Sequence, residues 1–337
     1  MVGSWLAIIR RVVVASTAQA TYIGAMSGEL ESSTGISDAS DIPVGNWVDR
    51  YAPGIVRPYM RLARLDRPIG TWLLLLPCWW SMALATPGWP DWTIGALFGI
   101  GALVMRSAGC VLNDLADRDM DAKVARTANR PIASGELSVV AGVIFFVALL
   151  AVGLWILLQF NPFAVKLGVA SLALVVIYPF MKRITYWPQL WLGFTFNWGA
   201  LMGWAVVQGD LGAAPGWLYA AGILWTLGYD TIYGHQDKED DMLVGVKSSA
   251  LALGTATKPW LIAFYGGTLL MIAIAGWMSS LAWPFYAGLA AGGVHLAWQV
   301  WDVDTEIPAD CLRKFKSNRD FGLIVTASVI AGQIWTG

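Results

Sequence analysis

The sequence predicts an all-α polytopic membrane protein with about nine transmembrane helices. Of its 337 residues, 57% are hydrophobic and only 13% are charged, whereas soluble domains have about 25% charged residues. The 20 tryptophans suit the two membrane–water interfaces, where an amphipathic ring is favoured. Apolar stretches of about 20 residues, the length needed to cross a bilayer, recur along most of the chain. A soluble globular core is therefore excluded.

The first 50 residues differ in composition from the rest. Two arginines come early, Ser, Thr and Ala are frequent, and no acidic residue precedes Glu29. That composition is typical of a mitochondrial presequence. The alternatives are an ordinary disordered leader and a first anchor around Trp5–Val14, which is too short to span a bilayer. We therefore expect residues 1–50 to be a presequence and leader and residues 51–337 to form the membrane domain.

A basic stripe leads into the first apolar span. In RPYMRLARLDRPIGTW, arginines recur every three to four residues, ending at Arg67, so they lie on one face of a helix. Hydropathy then predicts about nine spans. Their approximate bounds are 69–86, 92–112, 138–158, 162–181, 187–207, 215–233, 259–278, 281–300 and 320–335.

Basic residues are distributed asymmetrically about these spans. With nine spans, the entrance to the first and the ends of the second, fourth, sixth and eighth lie on one membrane side. Of the 22 Lys and Arg residues, three arginines lie in the leader, Arg106 lies within the second span and Lys166 lies on the far side; the other 17 fall on that side. The positive-inside tendency makes it cytoplasmic or matrix-facing. The acidic stretches 113–121 and 237–241 lie there too, although acids contribute little to orientation.

The stretch after the second span, NDLADRDMDAKVARTANRPIASG, concentrates acidic and basic residues between two hydrophobic runs. Asn113, Asp117 and Asp121 are spaced i, i+4 and i+8, so on a helix they share one face. Such oxygen ligands repel each other unless a cation lies between them, and oxygen-only ligands favour Mg²⁺ or Mn²⁺ over zinc. A solvated loop between two membrane helices is the alternative interpretation.

A second acidic cluster ends the sixth span, in YDTIYGHQDKEDD. Asp237 and Asp241 are spaced i, i+4 and lie on the same predicted membrane side as the first cluster. Two carboxylate clusters on facing helix ends suit a pair of divalent cations that bridge a diphosphate. Five basic residues on that side supply counter-charge for a polyanion: Lys123, Arg126, Arg130, Lys182 and Arg183. An apolar bundle beside such a site suits a long lipid tail.

Arg106 lies inside the second predicted span, seven residues before Asn113 and so on the same helix face. A charge near the bilayer centre costs at least ~2.5 kcal/mol. We expect Arg106 to face an internal cavity and to bind an acceptor carboxylate; snorkelling to the helix end is the alternative. The stretch 302–319 is predicted to be a solvated loop. Three well-separated cysteines and two histidines indicate no disulfide framework, zinc site or histidine-ligated haem.

The pattern N-x-x-x-D-x-x-M-D-x-x-V-x-R-T-x-x-R-x-x-x-x-G, from Asn113 to Gly135, resembles the signature of the UbiA superfamily of membrane prenyltransferases. Asp237 and Asp241 match the second motif of that family, D-x-x-x-D. RLDRPIGTWLLLLPCWWS, YPFMKRITYWPQ and FNWGALMGW resemble its mitochondrial branch in ubiquinone synthesis. The resemblance covers about Arg57 to the C-terminus, and it implies nine transmembrane helices around a central cavity.

The resemblance also implies an activity. A polyprenyl group would pass from polyprenyl diphosphate to the ring carbon ortho to the phenol of 4-hydroxybenzoate, with release of diphosphate. Mg²⁺ and the diphosphate would be held by Asn113, Asp117, Asp121, Asp237 and Asp241. Further contacts to the diphosphate or the acceptor would come from Arg67, Arg106, Lys123, Arg126, Arg130, Lys182 and Arg183. The implied location is the inner mitochondrial membrane, with the site facing the matrix and other ubiquinone-synthesis proteins as partners.

Two alternatives remain at this point. One keeps prenyl transfer but changes the acceptor to haem, a naphthoate or homogentisate. The other is a transporter or cation channel with acidic rings at its mouth. Transporters tend to show inverted repeats and ionisable residues at mid-membrane, whereas the acids here lie at helix ends on one predicted side. No nucleic-acid partner is indicated.

Overall fold

A computed structural model describes residues 42, 45–124, 127–238, 242 and 245–336. Every extended regular element within those ranges is a helix, which confirms the all-α prediction. The predicted presequence falls almost wholly outside the described residues and stays a prediction.

The helices follow the predicted spans closely. Two short helices come first, α1 (Trp47–Tyr51) and α2 (Arg57–Leu62). The remaining helices are α3 (Ile69–Ala85), α4 (Trp92–Asp121), α5 (Val139–Leu157), α6 (Pro162–Ile184), α7 (Pro188–Phe196), α8 (Trp198–Gln208), α9 (Ala213–Gly234), α10 (Ser249–Leu253), α11 (Thr257–Met278), α12 (Trp283–Asp302) and α13 (Pro308–Thr336). A helix therefore lies at each of the predicted spans.

Hydropathy and length identify five stretches of the described chain that can cross a membrane by themselves. They are Trp92–Asp121, Val139–Leu157, Pro162–Ile184, Pro188–Gln208 and Ser249–Met278. Helix α3 is apolar as well but has only 17 residues. The chain is thus a multi-pass membrane protein.

The second predicted span, 92–112, is too short, because α4 continues through the acidic stretch to Asp121. The solvated-loop interpretation of residues 113–121 is therefore wrong. Asp114 and Asp117 are each only 1% exposed, and both accept hydrogen bonds from basic side chains instead of water. Compensation by fixed cations lets a helix carry these charges into a packed interior.

The fifth predicted span, 187–207, is divided at Asn197 into α7 and α8. The Asn197 side chain is fully buried. Its amide donates to the Gly193 carbonyl at 2.9 Å and to Thr226 Oγ1 at 2.8 Å. Helix breaks in membrane proteins persist where neighbouring groups satisfy the freed backbone, and here one side chain links the break to α9.

The prediction of a solvated loop over residues 302–319 is wrong for most of that stretch, because α13 begins at Pro308. Lys314 in its second turn is fully buried, although lysine is almost never fully buried unless it is paired. Its ammonium is paired with Asp302 and lies 4.3 Å from the ring centre of Trp298. Ion pairing and a cation–π contact replace the solvent that the sequence interpretation assumed.

An aromatic cluster joins the helices at the centre of the bundle. Trp80 of α3, Trp225 of α9 and Phe321 of α13 are fully buried. The Trp80 and Trp225 ring centres lie 5.0 Å apart, and the Trp80 indole N–H donates to the Gly322 carbonyl at 2.8 Å. Because the indole N–H finds a partner, the large ring can be buried without an unsatisfied donor.

The basic helix ends meet at one end of the bundle, as the charge distribution predicted. Arg64, before α3, binds Asp114 near the end of α4 at 2.8 Å. Lys182, at the end of α6, is paired with Asp117, and the Lys247 amide donates to the Lys182 carbonyl at 3.0 Å. We call this the charged end. The opposite end is joined by polar contacts such as Gln208 Nε2 to the Ala85 carbonyl, at 2.6 Å.

This arrangement predicts the outcome of cysteine labelling. Single cysteines at the exposed positions Lys123 and Met242 should react with a membrane-impermeant maleimide from one face, and a cysteine at exposed Asp210 from the other. The native cysteines are buried, so background labelling should be low. Labelling of positions 123 and 242 from opposite faces would disprove a shared charged end.

Candidate functional site

A cavity of about 1080 Å³ runs into the bundle from the charged end. Its charged lining residues are Arg64, Arg67, Arg106, Asp114, Asp121, Arg130, Lys182, Asp230, Asp237, Lys247 and Lys316. Away from the charged end the lining is apolar, from residues such as Phe98, Leu154, Leu157, Phe160, Leu172 and Met202. Charge is therefore concentrated toward the charged end of the cavity, and hydrocarbon surface lines most of the rest.

Helix α4 carries the first acidic motif along this cavity. Asn113 and Asp121 line the cavity wall directly. Asp117, one turn from each, is 1% exposed and turns toward α6. The helical spacing predicted from the sequence is confirmed, but the three side chains do not all point into the same space.

Asp117 is neutralised by two cations at the end of α6. The Lys182 ammonium is hydrogen-bonded to Asp117 Oδ2, and Arg183 Nη2 donates to Oδ1 at 3.1 Å. Arg183 also donates to the Ala116 carbonyl at 3.2 Å. Lys182 lines the cavity, whereas Arg183 lies outside it with 46% of its side chain exposed. Asp117 thus holds Lys182 and Arg183, the two basic residues of the YPFMKR segment, beside the site.

A second charge cluster adjoins this one on the same face of α4. Arg130 Nη1 donates to Asp121 Oδ2 at 2.9 Å and to Asp114 Oδ1 at 3.2 Å. Arg64 Nη2 donates to the same Asp114 oxygen at 2.8 Å. Two guanidinium groups and two carboxylates therefore alternate at the cavity mouth. Bidentate-capable guanidinium groups are suited to recognise diphosphate oxygens.

The second acidic motif follows α9. Asp237 ends a short 3₁₀ turn, His235–Asp237, and its side chain lines the cavity. Asp241 lies outside the described residues, so its predicted role stays a prediction. His235 is buried, its Nε2 lies 2.9 Å from Thr257 Oγ1, and burial together with nearby Lys238 lowers its pKa. A neutral, hydrogen-bonded His235 is a packing residue at neutral pH.

Arg106 faces the cavity, as predicted, and does not snorkel to the helix end. Its guanidinium carbon lies 5.6 Å from the ring centre of Phe196, and one nitrogen donates to Cys110 Sγ. Its Nε is buried without a hydrogen-bond partner among the described residues. A Cβ on Gly70 would lie 3.0 Å from the guanidinium carbon, so a glycine provides the room. A guanidinium group thus faces the cavity inside the bundle.

The other predicted contacts have different surroundings. Arg67 lines the cavity and lies 3.4 Å from Asp66. Lys123 is exposed and is not part of the cavity lining. Arg126 lies outside the described residues. The sequence analysis assigned no role to Arg64 or Asp114. These two residues are 50 positions apart in the chain, so no local sequence pattern indicates that they pair.

The donors around the charged end fit Mg²⁺. Within the described ranges no group of three or more His, Cys, Asp or Glu side chains converges as a preformed metal cluster. The cavity wall nevertheless offers the amide of Asn113 and the carboxylates of Asp121 and Asp237, and Asp114 Oδ2 is buried with no partner in the described chain. All are hard oxygen donors, which Mg²⁺ prefers, and no thiolate or imidazole competes.

Known proteins share both sequence and fold with this chain. Residues 74–323 match the UbiA prenyltransferase family. A human 4-hydroxybenzoate polyprenyltransferase, mitochondrial, is 51% identical over 84% of this chain and 77% of its own length. The Arabidopsis thaliana protein of that name is 51% identical over 88% of this chain and 74% of its own.

A solved structure described as a UbiA homolog from Archaeoglobus fulgidus bound to GPP and Mg²⁺ has a TM-score of 0.61 and 16% identity. It covers 81% of this chain and 99% of its own. At that identity the likeness concerns the fold alone. The family match spans most of the chain, and the identity to the two relatives is 51%. This chain therefore belongs to the UbiA prenyltransferase family.

Proposed function

We propose that the protein transfers a polyprenyl group from polyprenyl diphosphate to the ring carbon ortho to the phenol of 4-hydroxybenzoate, releasing diphosphate, in ubiquinone biosynthesis. The observation that carries this proposal is a cavity with charge at one end and an apolar wall beyond it. An amphipathic substrate with a polyanionic head and a long hydrocarbon tail has the matching polarity. The human and Arabidopsis relatives are named for this activity.

The charged end would receive the diphosphate. Arg130 and Lys182 line the cavity, and their side chains can turn from the acids to phosphate oxygens. Mg²⁺ would be held by the oxygen donors Asn113, Asp117, Asp121, Asp237 and Asp241. When bound, Mg²⁺ supplies neutralisation of the negative charge that develops on the leaving diphosphate. The A. fulgidus homolog, with GPP and Mg²⁺ bound, supports this cofactor.

The apolar wall would hold the prenyl tail and exclude water. Phe98 and Phe160 stack with their ring centres 5.3 Å apart at the deep end of the cavity. The allylic carbon becomes cationic as its bond to the diphosphate oxygen breaks. An apolar wall that excludes water protects this carbon from attack by water. The electron pair of that bond leaves with the diphosphate.

The acceptor would lie between these two regions. Arg106 is the guanidinium inside the bundle that is placed to bind its carboxylate, next to the Phe196 ring. The ring carbon ortho to the phenol then attacks the allylic carbon, one carbon–carbon bond forms, and the ring proton passes to a carboxylate of the cavity. When both reactants are held in one cavity in the correct orientation, a bimolecular reaction becomes effectively unimolecular, which lowers the entropic part of the barrier.

The site would face the mitochondrial matrix from the inner membrane. Basic residues concentrate at the charged end, and the positive-inside tendency places such an end on the matrix side. The mitochondrial names of the relatives agree with that location.

The direct test is to incubate the purified protein with a polyprenyl diphosphate, Mg²⁺ and a set of aromatic acceptors, and to identify the product by mass. A product from 4-hydroxybenzoate is expected. If the protein reacts only with a naphthoate, homogentisate or haem, the assignment of 4-hydroxybenzoate as acceptor is wrong. If no acceptor gives a product, the proposal that the protein is a prenyltransferase is contradicted.

Arg106→Ala should raise the KM for 4-hydroxybenzoate by about tenfold to a hundredfold, since a hydrogen bond to a charged group contributes ~1.5–3 kcal/mol. The KM for the prenyl diphosphate should change little. Initial rates at varied concentrations of each substrate measure both effects. Arg118→Ala is the matched control, because Arg118 lies on the same helix but is exposed beside Asp119. Unchanged acceptor kinetics in Arg106→Ala would reject the assignment.

A further inference from the structure

Arg64 ends helix α2 in an unusual backbone conformation. Its φ is 59°, in the left-handed region that residues with a Cβ rarely adopt. The Arg64 amide donates to the Arg61 carbonyl at 3.0 Å, and the Leu65 amide donates to the Met60 carbonyl at 3.0 Å. These are the two hydrogen bonds of a Schellman motif, in which the left-handed position is usually glycine.

The side chain at this strained position is buried. Only 10% of the Arg64 side chain is exposed, and it lines the cavity at the charged end. Nη2 donates to Asp114 Oδ1, while Nη1 is buried with no hydrogen-bond partner in the described chain. A buried guanidinium donor without a partner is costly, so this position combines backbone strain with an unsatisfied charge-bearing group.

Asp114 keeps one cationic partner without Arg64, although that partner is shared with Asp121. Arg130 donates to the same Asp114 oxygen, at 3.2 Å, and also to Asp121 at 2.9 Å. At a helix end of this kind glycine is the usual residue, because it adopts the left-handed conformation without strain. Strained residues that the surrounding structure holds in place are concentrated at functional sites.

We infer that Arg64 is an additional diphosphate-binding residue, and that Asp114 is the positioning residue that holds its guanidinium group at the cavity wall. The inference rests on the proposed function, because it takes the ligand to be the diphosphate head of the prenyl donor. A phosphate oxygen at the charged end would accept a charge-assisted hydrogen bond from the Arg64 guanidinium group. Arg64 would then approach the diphosphate from the α2 side, while Lys182 approaches from α6.

Arg64→Gly is the decisive variant, because it removes the guanidinium and relieves the backbone at once. Relief of the backbone opposes the loss of one of the two cations beside Asp114, so we expect the apparent melting temperature without substrate to change little. The dissociation constant for geranyl diphosphate with Mg²⁺, measured by calorimetry without an acceptor, should rise about tenfold to a hundredfold. Loss of binding together with retained stability separates a ligand contact from a structural ion pair.

Ser280→Gly is the matched control. Ser280 is the other non-glycine residue of the described chain with a positive φ, at 55°, and it lies in the turn before α12. The same backbone relief there should leave geranyl diphosphate binding unchanged. Weaker binding in Ser280→Gly as well would overturn the inference, because the loss in Arg64→Gly would then follow from backbone relief.

Asp114→Asn tests the positioning role. It should raise the KM for the prenyl diphosphate with little change in the KM for the aromatic acid, and adding Arg64→Gly should cause little further loss. Additive losses in the double variant would overturn the role of Asp114. If the wild-type protein binds no geranyl diphosphate, the proposed function itself fails; if wild type binds and Arg64→Gly binds equally well, only the present inference fails.

Discussion

Replacing Asp117 or Asp237 by asparagine should lower prenyl transfer by about a hundredfold or more, while the chain still inserts and folds. Asp117 lies one turn from both Asn113 and Asp121 on α4, and Asp237 lines the cavity after α9. A diphosphate leaving group beside lipid needs fixed cations, because surroundings of low dielectric magnify each unpaired charge. Loss of one carboxylate removes part of the several kcal/mol that metal clamping supplies, and each ~1.36 kcal/mol is a tenfold change in rate.

The protein should still fold when Asp117 is replaced by asparagine, because the basic partners of Asp117 are partly exposed to solvent. Its partners Lys182 and Arg183 keep 25% and 46% of their side chains exposed. When the carboxylate is neutralised, both cations can therefore turn to water, so neither is left as an uncompensated buried charge. Relief of repulsion among the carboxylates is not the reason, because each acidic residue of α4 already has a basic partner.

Product formation by each variant, with thermal stability in detergent as the fold measurement, tests this prediction. Asp119→Asn is the matched control, since Asp119 is exposed on the same helix with 85% of its side chain accessible. Mg²⁺ or Mn²⁺ should be required, and Ca²⁺, with its looser geometry, should substitute poorly. Full activity of either variant, or full activity in excess chelator, would falsify the metal assignment.

The second large effect concerns the fold. Gly203→Ala should destabilise the bundle by about 3 kcal/mol. Helices α3 and α8 approach so closely at this point that a Cβ on Gly203 would lie 2.7 Å from the Met82 backbone nitrogen and would also overlap the Cys78 carbonyl oxygen. Backbone atoms cannot move aside as a flexible side chain can, so the two helices must separate. Small residues at such crossings are a common basis of helix association in membranes.

The expected measurement is an apparent melting temperature lower by roughly 5 °C or more, with a smaller yield of folded protein. Gly99→Ala is the control: it makes the same substitution within helix α4 at a glycine with no heavy atom within 4 Å of the added Cβ. It should be neutral or slightly stabilising, because alanine favours the helix over glycine by about 1 kcal/mol. Equal stability of the two variants would show that the α3–α8 contact tolerates added volume.

Hydropathy and charge distribution were sufficient to predict the helices and the end at which the acids and bases meet. Apolar spans depend on composition over about 20 residues, and each can be read without knowledge of its neighbours. The i, i+4 and i+8 spacing from Asn113 to Asp121 was likewise a local property, and α4 carries it as predicted. The cavity-facing position of Arg106 followed from its helical phase relative to Asn113.

The elements that sequence reasoning misplaced are those whose polar groups find partners far along the chain. Lys314 is buried because Asp302 and Trp298 lie against it. The break at Asn197 depends on Thr226 of a different helix. A polar residue in isolation predicts solvent, since the cost of burying it is cancelled only by a partner that packing brings close.

The site divides in the same way. The sequence alone determined the family, the two acidic motifs and the predominantly apolar bundle that surrounds them. Only the tertiary structure decided that Asp117 turns to Lys182 and Arg183, that Lys123 stays in solvent, and that Asp114 joins Arg64 to Arg130. Helical periodicity fixes the direction of a side chain about its own axis, whereas the partner of a buried charge depends on which helices pack together.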